Sequence, residues 1–296
     1  MTNAGFVAIL GAPNAGKSTL VNRLVGSKVS IVSAKVQTTR TRVIGIVMHE
    51  GAQVVLVDTP GIFAPKRRLD RAMVAAAWSG ANDADSILLI VDSRKGYDDE
   101  ARTIVSRLKD EGRRAFLALN KVDLIDKARL LKLAGEMDAE GCFEAVFMIS
   151  ALSGDGCDEL IAKLAGAMPE GPYLFPEDDL SDMPERLLAA EVVREQLYHK
   201  LYQELPYAAT VETESWKDRP DGSVRVEATI YVQRDSQKSI VLGNQGGMVK
   251  AIGSAARQEL EQLLERKVHL FLFVKVRENW QEDRERYQPW GLDFEA

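Results

Sequence analysis

Gly11-Ala12-Pro13-Asn14-Ala15-Gly16-Lys17-Ser18 decides how the chain reads, because it joins an apolar β-type run, Phe6 to Leu10, to a helical run from Lys17 to about Val25. A turn of this composition at a helix start gathers backbone N–H groups into one concavity that favours negative charge. Small residues let the backbone approach phosphate oxygens, Lys17 adds a point charge, and Ser18 offers a hydroxyl to Mg2+. The spacing G-x-x-x-x-G-K-[ST] arises by chance in roughly 1% of chains of this length, so an ordinary strand-to-helix turn is disfavoured. Alone, the motif leaves ATP, GTP, kinase and motor chemistry open.

Two later stretches narrow the choice. Asp58-Thr59-Pro60-Gly61 follows an apolar strand, which puts a carboxylate for Mg2+ at the strand's carboxyl end and a Gly61 N–H within reach of a γ-phosphate. Asn120-Lys121-Val122-Asp123 also follows a buried-looking strand. The Asp123 carboxylate can accept from guanine N1–H and the exocyclic amine, a donor pair that adenine lacks. Lys121 can lay its stem over the purine, and Ser150-Ala151 can supply a backbone N–H to the guanine oxygen. The expected nucleotide-binding set is Asn14, Ala15, Gly16, Lys17, Ser18, Thr19, Asp58, Asn120, Lys121, Asp123, Ser150, Ala151 and Leu152.

Around these motifs, short β-rich runs alternate with helical patterns, which predicts an α/β domain over residues 1–170. Its sheet should be mostly parallel with helices on both faces. Val43 to His49 and Gln53 to Val57 lie too close together for a crossover and should form one antiparallel pair. Residues 171–184, rich in proline and acidic side chains, read as a solvated hinge. Residues 185–296 read as an α+β domain with a C-terminal tail: a helix from Glu185 to Glu204, two strands, two helices flanking Gly243 to Gly246, and a third strand.

Gly243-Asn244-Gln245-Gly246 means little by itself, since 22 glycines in 296 residues produce a G-x-x-G once or twice by chance. Its setting between two helices gives it content: a phosphate backbone can approach such a turn unobstructed, with Ile240, Val241, Val249 and Ile252 as an apolar wall for bases. From Arg234 to Gln258 there are four basic residues against one acidic. The order of these elements resembles a KH domain, and that resemblance implies single-stranded RNA as the ligand, with Arg234, Lys238, Gly243, Asn244, Gln245, Gly246 and Lys250 as the expected contacts.

The series from Gly11 through Asp58, Asn120 and Ser150 resembles the translation-factor-related GTPases in their small ribosome-assembly branch, and the second half resembles a type II KH domain. The resemblance implies a P-loop GTPase binding GTP or GDP with Mg2+. Thr38-Thr39-Arg40 is similar to that branch's switch I, with Thr39 favoured over Thr38 as the Mg2+ and γ-phosphate sensor. It further implies Lys17, Thr39 and Gly61 as catalytic residues and Ser18, Thr39 and Asp58 as metal ligands. Ile62 stands where Ras-like proteins carry a water-orienting glutamine, so slow intrinsic hydrolysis is expected. Acceleration would come from a partner or from K+ held near Asn14. The implied partners are the 3′ end of 16S ribosomal RNA and the 30S subunit, with the cytoplasm as the expected location and the inner membrane as a peripheral one.

Composition is compatible with this. Apolar residues make up 46% and charged residues 28% of the chain, which argues against disorder and fibres. The longest apolar runs, such as Ala72 to Trp78 and Leu270 to Val274, are too short to span a membrane, and Met1 to Leu10 lacks the features of a secretory signal. A net charge of −6 confines any polyanion contact to a local patch. Cys142 and Cys157 read as small core residues, and His49, His199 and His269 are too scattered to suggest zinc. No heptad pattern suggests an obligate oligomer, so a monomer is expected. The competing readings are a metabolic phosphotransferase, for which no acceptor-side base is visible, and a switch whose second domain engages a protein or membrane.

Overall fold

In the computed structural model, which describes residues 2–296, six strands form one sheet: β1 (Asn3–Leu10), β2 (Val43–His49), β3 (Ala52–Asp58), β4 (Ser86–Asp92), β5 (Ala115–Asn120) and β6 (Phe143–Ile149). Their order is β2-β3-β1-β4-β5-β6, and only β2 runs antiparallel to its neighbour. Five helices intervene: α1 (Lys17–Val25), α2 (Arg68–Asn82), α3 (Asp99–Asp110), α4 (Lys127–Asp138) and α5 (Cys157–Gly166). The central strands are apolar on both faces because both are covered. Val7, Ile9, Leu88 and Ile90 pack with Leu20 of α1 and Leu160 and Leu164 of α5. Ala8, Leu10, Leu89 and Val91 pack with Trp78, Ile104 and Leu133 on the other side. In a sheet wound this way, ligands bind beyond the carboxyl ends of the strands, where all the predicted nucleotide motifs lie.

Residues 171–182 are not the solvated hinge that their composition suggested. Buried Gln53 accepts from the Leu174 and Phe175 N–H groups at 2.7 and 3.0 Å and donates to Phe175 O at 2.8 Å. Phe175 packs on Ile44, Ile46 and Val55, and Ile46 N–H donates to Leu180 O at 2.9 Å. Phe175 thus covers the face of β2 and β3, while the Leu180 carbonyl takes up a donor on the edge strand β2.

Two compact units result: residues up to Asp182 together with Tyr287–Ala296, and Met183–Arg286. The last ten residues, expected as a tail of the second domain, pack with the first unit instead. The Arg68 guanidinium lies 4.4 Å from the Phe294 ring centroid and donates to Phe294 O at 3.1 Å.

The second unit contains α6 (Glu185–Lys200), β7 (Thr210–Asp218), β8 (Val224–Val232), α7 (Asp235–Leu242), α8 (Gly247–Leu263) and β9 (Val268–Val276). The sheet order is β7-β8-β9, with β9 parallel to β8. The inward residues Val224, Val226, Ala228 and Ile230 meet Val192, Val193 and Leu197 of α6 and Ile252, Ala256 and Leu260 of α8. Helix α6 stops four residues before the predicted end, because Gln203 takes φ 56° and a 3-10 turn containing Pro206 follows.

Candidate nucleotide site and nucleic-acid interface

The loop from Gly11 to Gly16 leads from β1 into α1, and Gly16 itself sits at φ 108°. A Cβ there would lie 2.2 Å from Asn120 Nδ2, so side-chain bulk is excluded as well as strained. Asn120 Nδ2 donates to Ala15 O at 2.8 Å, tying the end of β5 to the phosphate loop. Lys17 is buried, with Nζ donating to Gly11 O and Ala12 O at 3.0 Å each. Burial draws its ammonium down to about 8, against the pull of the Asp58 and Glu100 carboxylates.

The three predicted metal ligands converge. Ser18 Oγ lies 2.6 Å from Asp58 Oδ2 and 2.9 Å from Thr39 Oγ1. Thr38 is directed elsewhere, its Oγ1 bonding Lys35 O at 2.7 Å and Ser33 Oγ at 2.6 Å, so of the two threonines Thr39 is the one beside Ser18 and Asp58. Asp58 is fully buried, and burial holds its carboxyl above the usual range despite hydrogen bonds from Ser18, Ser30 and Thr39. Its Oδ1 has no hydrogen-bond partner among the described residues. Two hydroxyls and a buried carboxylate with an unused oxygen make a hard oxygen donor set that fits Mg2+.

Gly61 packs against Pro13 so closely that a Cβ would meet Pro13 backbone atoms at 2.9 Å. Ile62 donates its N–H to Gly11 O at 3.0 Å and buries its side chain in the core, so it contributes no polar group to the site. Asn14 donates to Ala34 O at 2.8 Å. Thr19 and Lys121 line the same cavity, about 350 Å3 in volume, together with Asn14 and Ser18. Ala151 N–H donates to Asn120 Oδ1 at 2.9 Å, so within this structure it is committed to orienting the asparagine. Asp123 lies in a 3-10 turn that follows Lys121, which adopts φ 66°.

In the second unit, α7 ends at Gly243, Gln245 takes φ 50°, and Gly246 takes φ 77° as α8 begins. A Cβ at Gly246 would meet nothing within 4 Å, so the turn is open on its outer side. Arg234, Asn244, Gln245 and Lys250 are exposed, and Lys238 is half-buried. Half of the apolar wall expected for bases is core: Val241 and Ile252 are 0% exposed, whereas Val249 is half-buried and Ile240 is 56% exposed. Their positions on the inward faces of α7 and α8 explain this, since the sheet takes them first.

The family described as a 50S ribosome-binding GTPase matches residues 6–121, and the KH domain family matches residues 204–281. GTPase Era of Brucella suis biovar 1 is 60% identical over 293 residues, covering 99% of this chain and 94% of the relative. This chain belongs to the Era family of GTPases. GTPase Era of Afipia carboxidovorans is 59% identical over 293 residues, covering 99% and 95%. The crystal structure of an Aquifex aeolicus Era variant bound to GDP·AlF4− is similar with a TM-score of 0.93 at 38% identity, covering 98% of this chain and 99% of that one. A solved Era complex with MgGDPNP and nucleotides 1506–1542 of 16S ribosomal RNA has the same TM-score, identity and coverage. As an Era-family member, the chain is an enzyme that hydrolyses GTP.

The structure adds residues to this Era-family site that motif reading missed. Ser30 Oγ donates to Asp58 Oδ2 at 2.7 Å. Asp92, 4% exposed at the end of β4, pairs in register with Asn120 and accepts from Lys121 Nζ at 2.6 Å and Arg94 Nη2 at 2.7 Å. Burial pushes the Asp92 carboxyl up, but these bonds outweigh it and bring it down to about 2. The available sequence signal was an aspartate closing an apolar strand, the same signal that marked Asp58.

Proposed function

We propose that this Era-family GTPase binds the 3′-end region of 16S ribosomal RNA through its second unit and assists assembly of the 30S subunit, with GTP setting the binding state. The observation that carries the reading is the open glycine turn: Gly246 presents no side chain at the start of α8, with Lys250 exposed in the first turn of that helix and Arg234 exposed at the start of α7. A phosphate backbone needs such a turn, and the unpaired strand laid along it is read by its base edges. The solved Era relative with bound 16S ribosomal RNA supports the same ligand here.

In the first unit, Ser18, Thr39 and Asp58 would hold Mg2+, which when bound neutralises phosphate charge. Lys17 supplies positive charge to the phosphates, Gly61 brings its N–H to the γ-phosphate, and Asp123 selects guanine. Ile62 leaves the attacking water without an orienting side chain, so hydrolysis is slow until a bound partner or K+ near Asn14 assists. Equal turnover in potassium and sodium buffers would remove the cation from this account. Work on a ribosomal subunit places the protein in the cytoplasm.

Gly246→Asp tests the RNA reading. The new Cβ faces open space and aspartate tolerates positive φ better than most residues, so the fold is kept while a carboxylate meets the RNA phosphate. The expected result is loss of RNA binding with GTP hydrolysis intact. Unchanged RNA binding would contradict it and favour a protein or membrane surface as the ligand of this unit.

A further inference from the structure

We infer that Arg23 is a positioning residue for guanine selection, gripping the loop after β6 so that the Leu152 N–H is aimed at the base. The inference rests on the proposed reading that this loop donates to the guanine oxygen.

Arg23 lies in the last turn of α1, and its side chain reaches 128 residues along the sequence, with Nε donating to Ala151 O at 3.3 Å and Nη2 donating to Leu152 O. These carbonyls belong to a turn outside any helix or strand, and Leu152 is 75% exposed, so its side chain does not anchor the segment. The loop is otherwise tied by Ser150 N–H to Asp155 O at 2.9 Å and Gly154 N–H to Ser150 O at 2.8 Å. Neither bond fixes the peptide plane between Ala151 and Leu152. Arg23 does, because a trans peptide points its N–H opposite to its C=O. Holding Ala151 O against the planar guanidinium turns the Leu152 N–H away from α1.

The donor count leads to the same residue. Ala151 N–H is committed to Asn120 Oδ1, whereas Leu152 N–H has no protein partner among the described residues. The donor available to guanine is therefore the one whose direction Arg23 sets. The guanidinium's positive charge against both carbonyls also polarises the peptides they belong to.

The test compares wild type and Arg23→Ala for affinity to GDP, inosine diphosphate and the diphosphate of 2-aminopurine riboside, which lacks the six-position oxygen. Arg23 is exposed, so the alanine variant is expected to fold, and its melting curve checks this. GDP and inosine diphosphate should weaken by about threefold to tenfold, the effect of one mispositioned hydrogen bond, while the 2-aminopurine nucleotide changes by less than about twofold. Arg23→Lys, which keeps one donor and the charge, should recover part of the loss. Uniform weakening of all three nucleotides, or none, would overturn the inference. Failure of the underlying reading looks different: wild type itself would then bind 6-thioguanosine diphosphate, which keeps N1–H and the 2-amino group but carries a poor acceptor at position six, as tightly as GDP.

Discussion

Lys121 Nζ donates to Asp92 Oδ2 at 2.6 Å and to Asn14 O at 2.7 Å, so one ammonium links the end of β4 to the phosphate loop. Asp92 holds it there, with Arg94 bonding both carboxylate oxygens, Nε to Oδ1 at 3.1 Å and Nη2 to Oδ2 at 2.7 Å. The lowered Asp92 acidity makes this a pH-dependent contribution. A carboxyl whose folded value is depressed stabilises above its unfolded value and loses that contribution as pH falls through the folded one. The window here runs from the ordinary value of 3.8 down to about 2.

Asp92→Asn should therefore lower stability by about 2 kcal/mol near pH 6. Urea unfolding repeated toward pH 2.5 should show the two proteins converging. GDP affinity should fall in the variant, since Lys121 loses its anchor.

Thr39 and Thr38 should separate cleanly. Thr39 Oγ1 faces Ser18 and Thr38 Oγ1 faces Lys35 O, so Thr39→Ala should weaken a non-hydrolysable GTP analogue by about tenfold with Mg2+ present and leave GDP nearly unchanged. Thr38→Ala should change both by less than about threefold. Fluorescent-nucleotide titrations read the difference.

Lys17 gives GDP binding its own pH dependence. Phosphate binds the charged ammonium, and in the free protein that charge is lost above about pH 8. Below pH 8 this residue leaves affinity flat. Above it, binding must take up a proton, and Kd should climb toward about tenfold per pH unit. Calorimetry in two buffers of different ionisation enthalpy counts the proton.

Gln53→Leu should destabilise the first unit by about 2–4 kcal/mol, because two N–H groups and one carbonyl of residues 174–175 lose a buried partner. Limited proteolysis should then cut within residues 171–182, which wild type protects.

The strand ends and glycine turns were legible because each motif carries its own geometry: Gly11 to Ser18 and Asn120 to Asp123 read as turns after apolar strands, and the structure brings them together. Ser30 and Arg23 were not, since their partners lie 28 and 128 residues away and nothing local announces them, while Asp92, whose Lys121 partner lies 29 residues away, offered only the strand-closing aspartate as a signal. Residues 171–182 misled through composition: prolines and acids dominate the count, but the Phe175 side chain, with backbone bonds to Gln53 and Ile46, decides where the segment lies. Val241 and Ile252 misled in the opposite sense, as apolar side chains near a binding turn that the core had already claimed.

The central claim is that nucleotide state sets RNA binding. The direct measurement is affinity for a labelled single-stranded RNA copied from the 3′ end of 16S ribosomal RNA, with GDP or a non-hydrolysable GTP analogue bound and a scrambled RNA as control. Tighter, sequence-dependent binding in the GTP-analogue state is the predicted result. Equal, weak binding in both states would contradict it.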